Sequence, residues 1–79
     1  MPHISVKMLK GRTDKQKKDL LDALVETIVA QLGCSKQHVT CTIEDYDAVA
    51  WQDVFKSEIT DKPSDKIYKQ AEYDPKDLL

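Results

Sequence analysis

Two short runs of alternating polar and apolar residues enclose one stretch of helical period, and that order leaves few folds open to a chain of 79 residues. In the first run, His3 to Leu9, Ile4, Val6 and Met8 fall on one side and His3, Ser5 and Lys7 on the other. In the second, Val39, Cys41 and Ile43 face one way and Thr40, Thr42 and Glu44 the other. Period-two alternation marks a half-buried strand. Between the runs, Leu20, Leu21, Leu24, Val25, Ile28 and Leu32 recur at spacings of three and four, while Lys17, Lys18, Asp22 and Glu26 take much of the opposite side. This apolar stripe is wide enough to cover a sheet. Thr13 with Gln16 three residues on is a capping-box pattern. Asp14 suits the positive end of the helix dipole, and Gly33 stands where a left-handed closing residue belongs.

A strand, a helix of roughly twenty residues and a strand form a βαβ unit with parallel strands and a right-handed crossover. The fold class read from the sequence is therefore α/β. One helix covers one face of a two-stranded sheet, leaving the other face and both edges open, so the unit predicts partner subunits that complete the sheet. From Ala48 the helical period returns through Trp51, Val54, Phe55 and Ile59, predicting a short helix. Pro63 interrupts it, with Asp61 as the expected cap of a second short turn through Ile67 and Tyr68. The tail from Gln70 is polar and irregular and reads as frayed unless it docks on a partner. With no repeat, low-complexity segment or linker, residues 1–79 read as a single domain.

Composition removes several classes of function. A formal net charge of -2 supplies no cationic field for nucleic acid. Lys15, Lys17 and Lys18 cluster without aromatics among Asp14, Gln16 and Asp19, which reads as a solvated face. No apolar run approaches the ~20 residues that cross a bilayer. Two cysteines and a start without an apolar leader segment read as a cytoplasmic protein with reduced thiols. His3, His38, Cys34 and Cys41 lack any metal-ligand spacing, so no metal is expected. Two glycines make a phosphate-cradling loop hard to build.

Three residues remain as candidates for chemistry. Removal of Met1 would leave Pro2 with a secondary amine; such α-amines titrate at about 7.7–8.0, and apolar or cationic surroundings push them lower. A base tuned near neutral pH would result, although many chains begin Met-Pro with no chemistry attached. Arg12, at the far end of the first strand, can hold a carboxylate with its planar fork or serve as a solvated loop residue. Trp51 can wall a site against water or anchor a core or interface. His3 follows Pro2 on the opposite strand face and ranks as structural or peripheral. Tyr46 and Tyr68 are hydroxyl donors with no spacing to recommend them. Pro2 and Arg12 lie about 25–30 Å apart along a strand of ~3.3 Å per residue, so they can share a small substrate only if a neighbouring subunit supplies one of them.

Taken together, Pro2, the alternating first strand, the run Leu9-Lys10-Gly11-Arg12-Thr13-Asp14-Lys15-Gln16-Lys17, the helix, the Val39-centred strand and the aromatic at 51 resemble the 4-oxalocrotonate tautomerase family over roughly residues 2 to 51. The tryptophan and the longer tail are similar to its PptA-like subgroup. The resemblance implies a βαβ unit with short C-terminal helices whose sheet is completed by oligomerisation, as a dimer rather than a hexamer. It implies cofactor-independent keto-enol tautomerisation of a small 2-keto acid, with Pro2 as general base, Arg12 on the carboxylate and Trp51 lining the pocket. Thr40 departs from the pattern, which has a carbonyl-polarising arginine there. With one hydroxyl and no charge at that position, an aryl or alkyl 2-keto acid such as phenylpyruvate suits the chain better than a dicarboxylate. The alternative reading is a low-activity or non-catalytic small-molecule binding or interaction subunit of the same fold. Hydration-dehalogenation of haloacrylates ranks lower, because the additional charged groups it needs cannot be placed.

Overall fold

The computed structural model describes residues 1–79. Strand β1 runs over His3–Leu9, helix α1 over Asp14–Leu32, strand β2 over Thr40–Tyr46 and helix α2 over Ala48–Phe55. The strands pair parallel in a two-stranded sheet, in register from His3 opposite Thr40 to Leu9 opposite Tyr46. The expected βαβ unit is thus present. Backbone bonds extend the ladder at both ends: Thr40 N–H donates to the Pro2 carbonyl at 3.2 Å, and Lys10 N–H to the Tyr46 carbonyl at 2.8 Å.

Helix α1 begins and ends where local chemistry requires. Gln16 N–H donates to Thr13 Oγ1 at 3.1 Å, and Thr13 N–H donates to Gln16 Oε1 at 2.8 Å, completing the capping box. Gly33 takes φ 66° and donates its N–H to Val29, closing the helix in the left-handed conformation. Leu20, Leu21, Leu24, Val25 and Ile28 are half-buried as the stripe predicts, whereas Leu32 in the last turn remains 64% exposed. Lys17 is not on a solvated face: it is half-buried and pairs with Asp45 of β2. Asp45 continues the Cys41 and Ile43 side of the strand, which identifies the sheet face that α1 covers. The neighbouring Lys15 and Lys18 do face solvent, in i,i+4 pairs with Asp19 and Asp22.

Helix α2 is capped by Asp47, whose carboxylate accepts from Ala50 N–H at 2.7 Å. It widens without a break into a π-helical turn over Lys56–Thr60. Asp61 ends this turn, its N–H donating to the Lys56 carbonyl and its carboxylate pairing with the Lys56 ammonium. It therefore closes the preceding helix rather than capping the next turn. The following 3-10 turn spans Ser64–Lys66, with Pro63 before it and Ile67 and Tyr68 beyond it.

The tail is not frayed. It folds back on α2 and forms a 3-10 turn over Pro75–Leu78, capped by Asp74. Gln52 Nε2 donates to the Pro75 carbonyl at 2.8 Å, and the Tyr73 and Phe55 rings meet edge-on with centroids 5.6 Å apart. Trp51 and Phe55, four residues apart on one face of α2, form the platform that receives it.

Candidate active site

The sheet face not covered by α1 carries His3, Ser5, Lys7 and Leu9 from β1 opposite Thr40, Thr42, Glu44 and Tyr46 from β2. Its polar side chains are linked along the sheet. Lys7 Nζ donates to Glu44 Oε1 at 3.3 Å, and Tyr46 Oη donates to Glu44 Oε2 at 2.9 Å. Hydrogen bonds from Tyr46 and Lys7 hold the Glu44 carboxyl below its usual range. Their counterpart is a raised Lys7 and a raised Tyr46, each caused first by the bond to Glu44. Lys7 therefore stays cationic and Glu44 anionic through neutral pH.

Trp51 projects from α2 into this network. Its ring meets Tyr46 edge-on, with centroids 6.2 Å apart, and its indole N–H donates to Tyr73 Oη at 3.0 Å. The indole is thus fixed from the strand on one side and from the tail on the other. Beside it lies a groove of about 480 Å³, floored by Ser5 and Lys7 and walled by Trp51, Val54, Ile59 and Tyr73.

Pro2 and Arg12 line neither this groove nor each other's surroundings. Pro2 precedes β1 and Arg12 follows it, separated by seven strand residues that alone span about 23 Å. Arg12 is exposed in a loop where Gly11 takes φ 124°, a value that suits glycine. Pro2 is half-buried, and Met1, joined to its nitrogen, is 91% exposed. Beside Pro2, His3 Nδ1 and Thr40 Oγ1 are 2.7 Å apart, so the threonine at the departing position is held by a histidine on the neighbouring strand. Tyr46 and Tyr68, equal in the sequence, separate sharply here: Tyr46 is in the network and Tyr68 is 98% exposed.

Sequence reasoning missed Lys7, Glu44 and Tyr73. A signal existed for the first two, because parallel strands of equal length that start with His3 opposite Thr40 must place Lys7 opposite Glu44. Tyr73 carried none, since its contact depends on how an irregular segment returns.

A parallel βαβ unit with a short C-terminal helical segment defines a small α/β class, and comparison with known proteins places the chain within it. The sequence model of the family described as Tautomerase enzyme matches residues 2–52, and the chain belongs to this family, that of 4-oxalocrotonate tautomerase. It is 40% identical over 45 residues to a 2-hydroxymuconate tautomerase of Bacillus subtilis, covering 57% of this chain and 73% of that protein. It is 32% identical over 74 residues to a probable tautomerase of Xylella fastidiosa, covering 92% and 89% of the two chains. The crystal structure of apo unfused 4-OT superimposes with a TM-score of 0.60 at 37% identity, covering 62% of this chain and 80% of that one. The activity these relatives support is that of a tautomerase, an isomerase.

Proposed function

We propose that the chain interconverts keto and enol forms of a small 2-keto acid, phenylpyruvate being the test substrate, with the amine of Pro2 as general base once Met1 is removed. The observation that carries this reading is that the family match begins at Pro2 itself and extends through Arg12 to Trp51. A terminal secondary amine needs no cofactor to take the proton from the carbon next to a carbonyl and deliver it to the carbonyl oxygen, which gives the enol, or to run the same transfer in reverse. Arg12 holds the substrate carboxylate through its fork, and Trp51 excludes water from the reacting carbon.

The separation of Pro2 and Arg12 within one chain favours a site shared between subunits. The surface supports assembly independently. No residue is fully buried, and the chain exposes 6166 Å², against about 4,900 Å² expected for a monomer of this mass. The excess of about 1,300 Å² is on the scale of one partner's share of a stable interface. The radius of gyration, 14.3 Å, likewise exceeds the ~12 Å of a compact chain of this length. A homodimer is the assembly we favour. Thr40, which carries no charge, favours an aryl or alkyl monoacid over a dicarboxylate such as the 2-hydroxymuconate of the Bacillus relative's name.

The test is ketonisation of enol phenylpyruvate by wild type and Pro2→Ala, both with Met1 removal confirmed by mass. A drop of about 10²-fold or more in kcat is expected. Equal rates would remove Pro2 from the mechanism.

A further inference from the structure

The groove beside Trp51 is built mainly from residues outside the family match. Of its eleven lining residues, Ser5, Lys7 and Trp51 lie within residues 2–52, and the others come from α2, the π-helical turn and the tail. The tail segment Lys69 to Tyr73 supplies five in succession. It is held there by the Trp51 to Tyr73 hydrogen bond, the Phe55 to Tyr73 ring contact and the Gln52 clamp on Pro75. Whatever the groove selects is therefore chosen by the C-terminal third of the chain.

Its chemistry is two-sided. Trp51, Tyr73, Val54 and Ile59 offer a flat aromatic and aliphatic wall, a surface suited to a planar ring. Lys7 lies at the floor with its side chain 24% exposed. An ammonium has three donors, and Glu44 takes one of them. The carboxylates that could compete for the others are already engaged: Glu44 by Tyr46 as well, Glu58 by Lys62 at 3.2 Å and Glu72 by Lys69 at 3.6 Å. A cation with open donors, partly screened from water, faces an aromatic wall.

We infer that this groove is a subsite for an aryl-bearing carboxylate, the ring lying against Trp51 and Tyr73 and the carboxylate meeting the Lys7 ammonium. The inference deepens the site proposed above, rests on Trp51 belonging to that site, and makes Lys7 a second cation on the carboxylate that Arg12 of a neighbouring subunit also holds, one on each oxygen. It makes the tail a specificity element, and Tyr73 a positioning residue for the indole.

Trp51 is the sole tryptophan, so binding can be read from its fluorescence without turnover. Full-length protein is titrated with trans-cinnamate, with cinnamamide as the neutral ring and fumarate as the carboxylate without a ring. Saturable quenching by cinnamate is expected, at least about tenfold tighter than by cinnamamide, with no quenching by fumarate. Lys7→Gln should reduce cinnamate's advantage while leaving cinnamamide unchanged. Ala71→Leu, which fills the groove without touching the ion pair, should weaken both. Equal affinity for cinnamate and cinnamamide, or cinnamate binding unaltered by both substitutions, would overturn the subsite. The two readings fail separately. An active enzyme whose tryptophan ignores cinnamate defeats the groove and leaves Pro2 in place. A Pro2→Ala chain that binds cinnamate normally and turns over at the wild-type rate defeats Pro2 and leaves the groove.

Discussion

The βαβ unit and the C-terminal segment reach their structures by different means. The unit is specified by period: two alternating strands and one amphipathic helix can bury their apolar sides in essentially one arrangement, and the register follows from the strand lengths. The segment after Ala48 is specified by individual contacts, an indole on a tyrosine hydroxyl, a glutamine amide on a carbonyl and one aromatic edge on another. The difference extends to function. The unit holds Pro2 and Arg12, the groups proposed for the chemistry, whereas the segment holds Trp51 and the wall proposed to select the substrate.

Among the residues proposed to bind rather than to move the proton, the largest effect expected separates the two regions kinetically. Arg12→Ala should raise KM for enol phenylpyruvate by about tenfold or more, as loss of a charge-assisted carboxylate contact does. Gln52→Ala, which releases the tail's clamp together with a bond to the Ala48 carbonyl inside α2, should change kcat by less than about twofold. Steady-state kinetics on both variants checks this, and a Gln52→Ala chain as impaired as Arg12→Ala would merge the regions.

Stability should divide the same way. Leu24→Ala removes a half-buried stripe residue between helix and sheet and should cost about 2 kcal/mol, read as a lower urea midpoint. If assembly completes the core, the loss should vary with protein concentration. Thr13→Ala, which removes the capping box, should cost about 1 kcal/mol in the same assay. Gly33→Ala meets no neighbouring atom, so its cost of about 1 kcal/mol would be the left-handed backbone alone.

The smallest effect is the pH dependence of the Lys7, Glu44 and Tyr46 network. Glu44 is lowered from 4.5, so its contribution is present above that value and lost as pH falls through the folded pKa. Lys7 and Tyr46 are raised from 10.5 and 10.0, so theirs are complete below those values and lost as pH rises past them. The Tm difference between wild type and Glu44→Gln should therefore be flat between about pH 6 and 9 and shrink below pH 4.5. An unchanged difference at pH 3 would show that Glu44 acts without its charge.

What could be read from the sequence follows the same boundary. The strands, the Thr13 and Gly33 signals and the helical stripe are local or periodic, and each stands where its pattern puts it. Lys17 escaped because a long side chain at the edge of a stripe can turn to a strand carboxylate that periodicity does not see. Asp61 closes the helix before it because a π-helical turn continues α2 to Thr60, one residue past its last apolar position Ile59, and the carboxylate then reaches back to Lys56 rather than forward. The docked tail was illegible for a deeper reason. Its energy lies in a few long-range contacts, and no local pattern marks Tyr73 as the partner of a residue 22 positions earlier. Of the site, Trp51 was legible as a wall, while the groove it lines depends on that return.

The most direct test of the division of labour measures kcat/KM for enol phenylpyruvate and 2-hydroxymuconate side by side in wild type, Pro2→Ala and Tyr73→Ala. Pro2→Ala should lower both substrates by the same large factor, because the base serves either enol. Tyr73→Ala should lower phenylpyruvate about tenfold more than 2-hydroxymuconate, because the loosened indole serves both substrates and the lost wall meets only the ring. Equal losses on the two substrates in Tyr73→Ala would contradict the account, placing the tail in the scaffold rather than in selection.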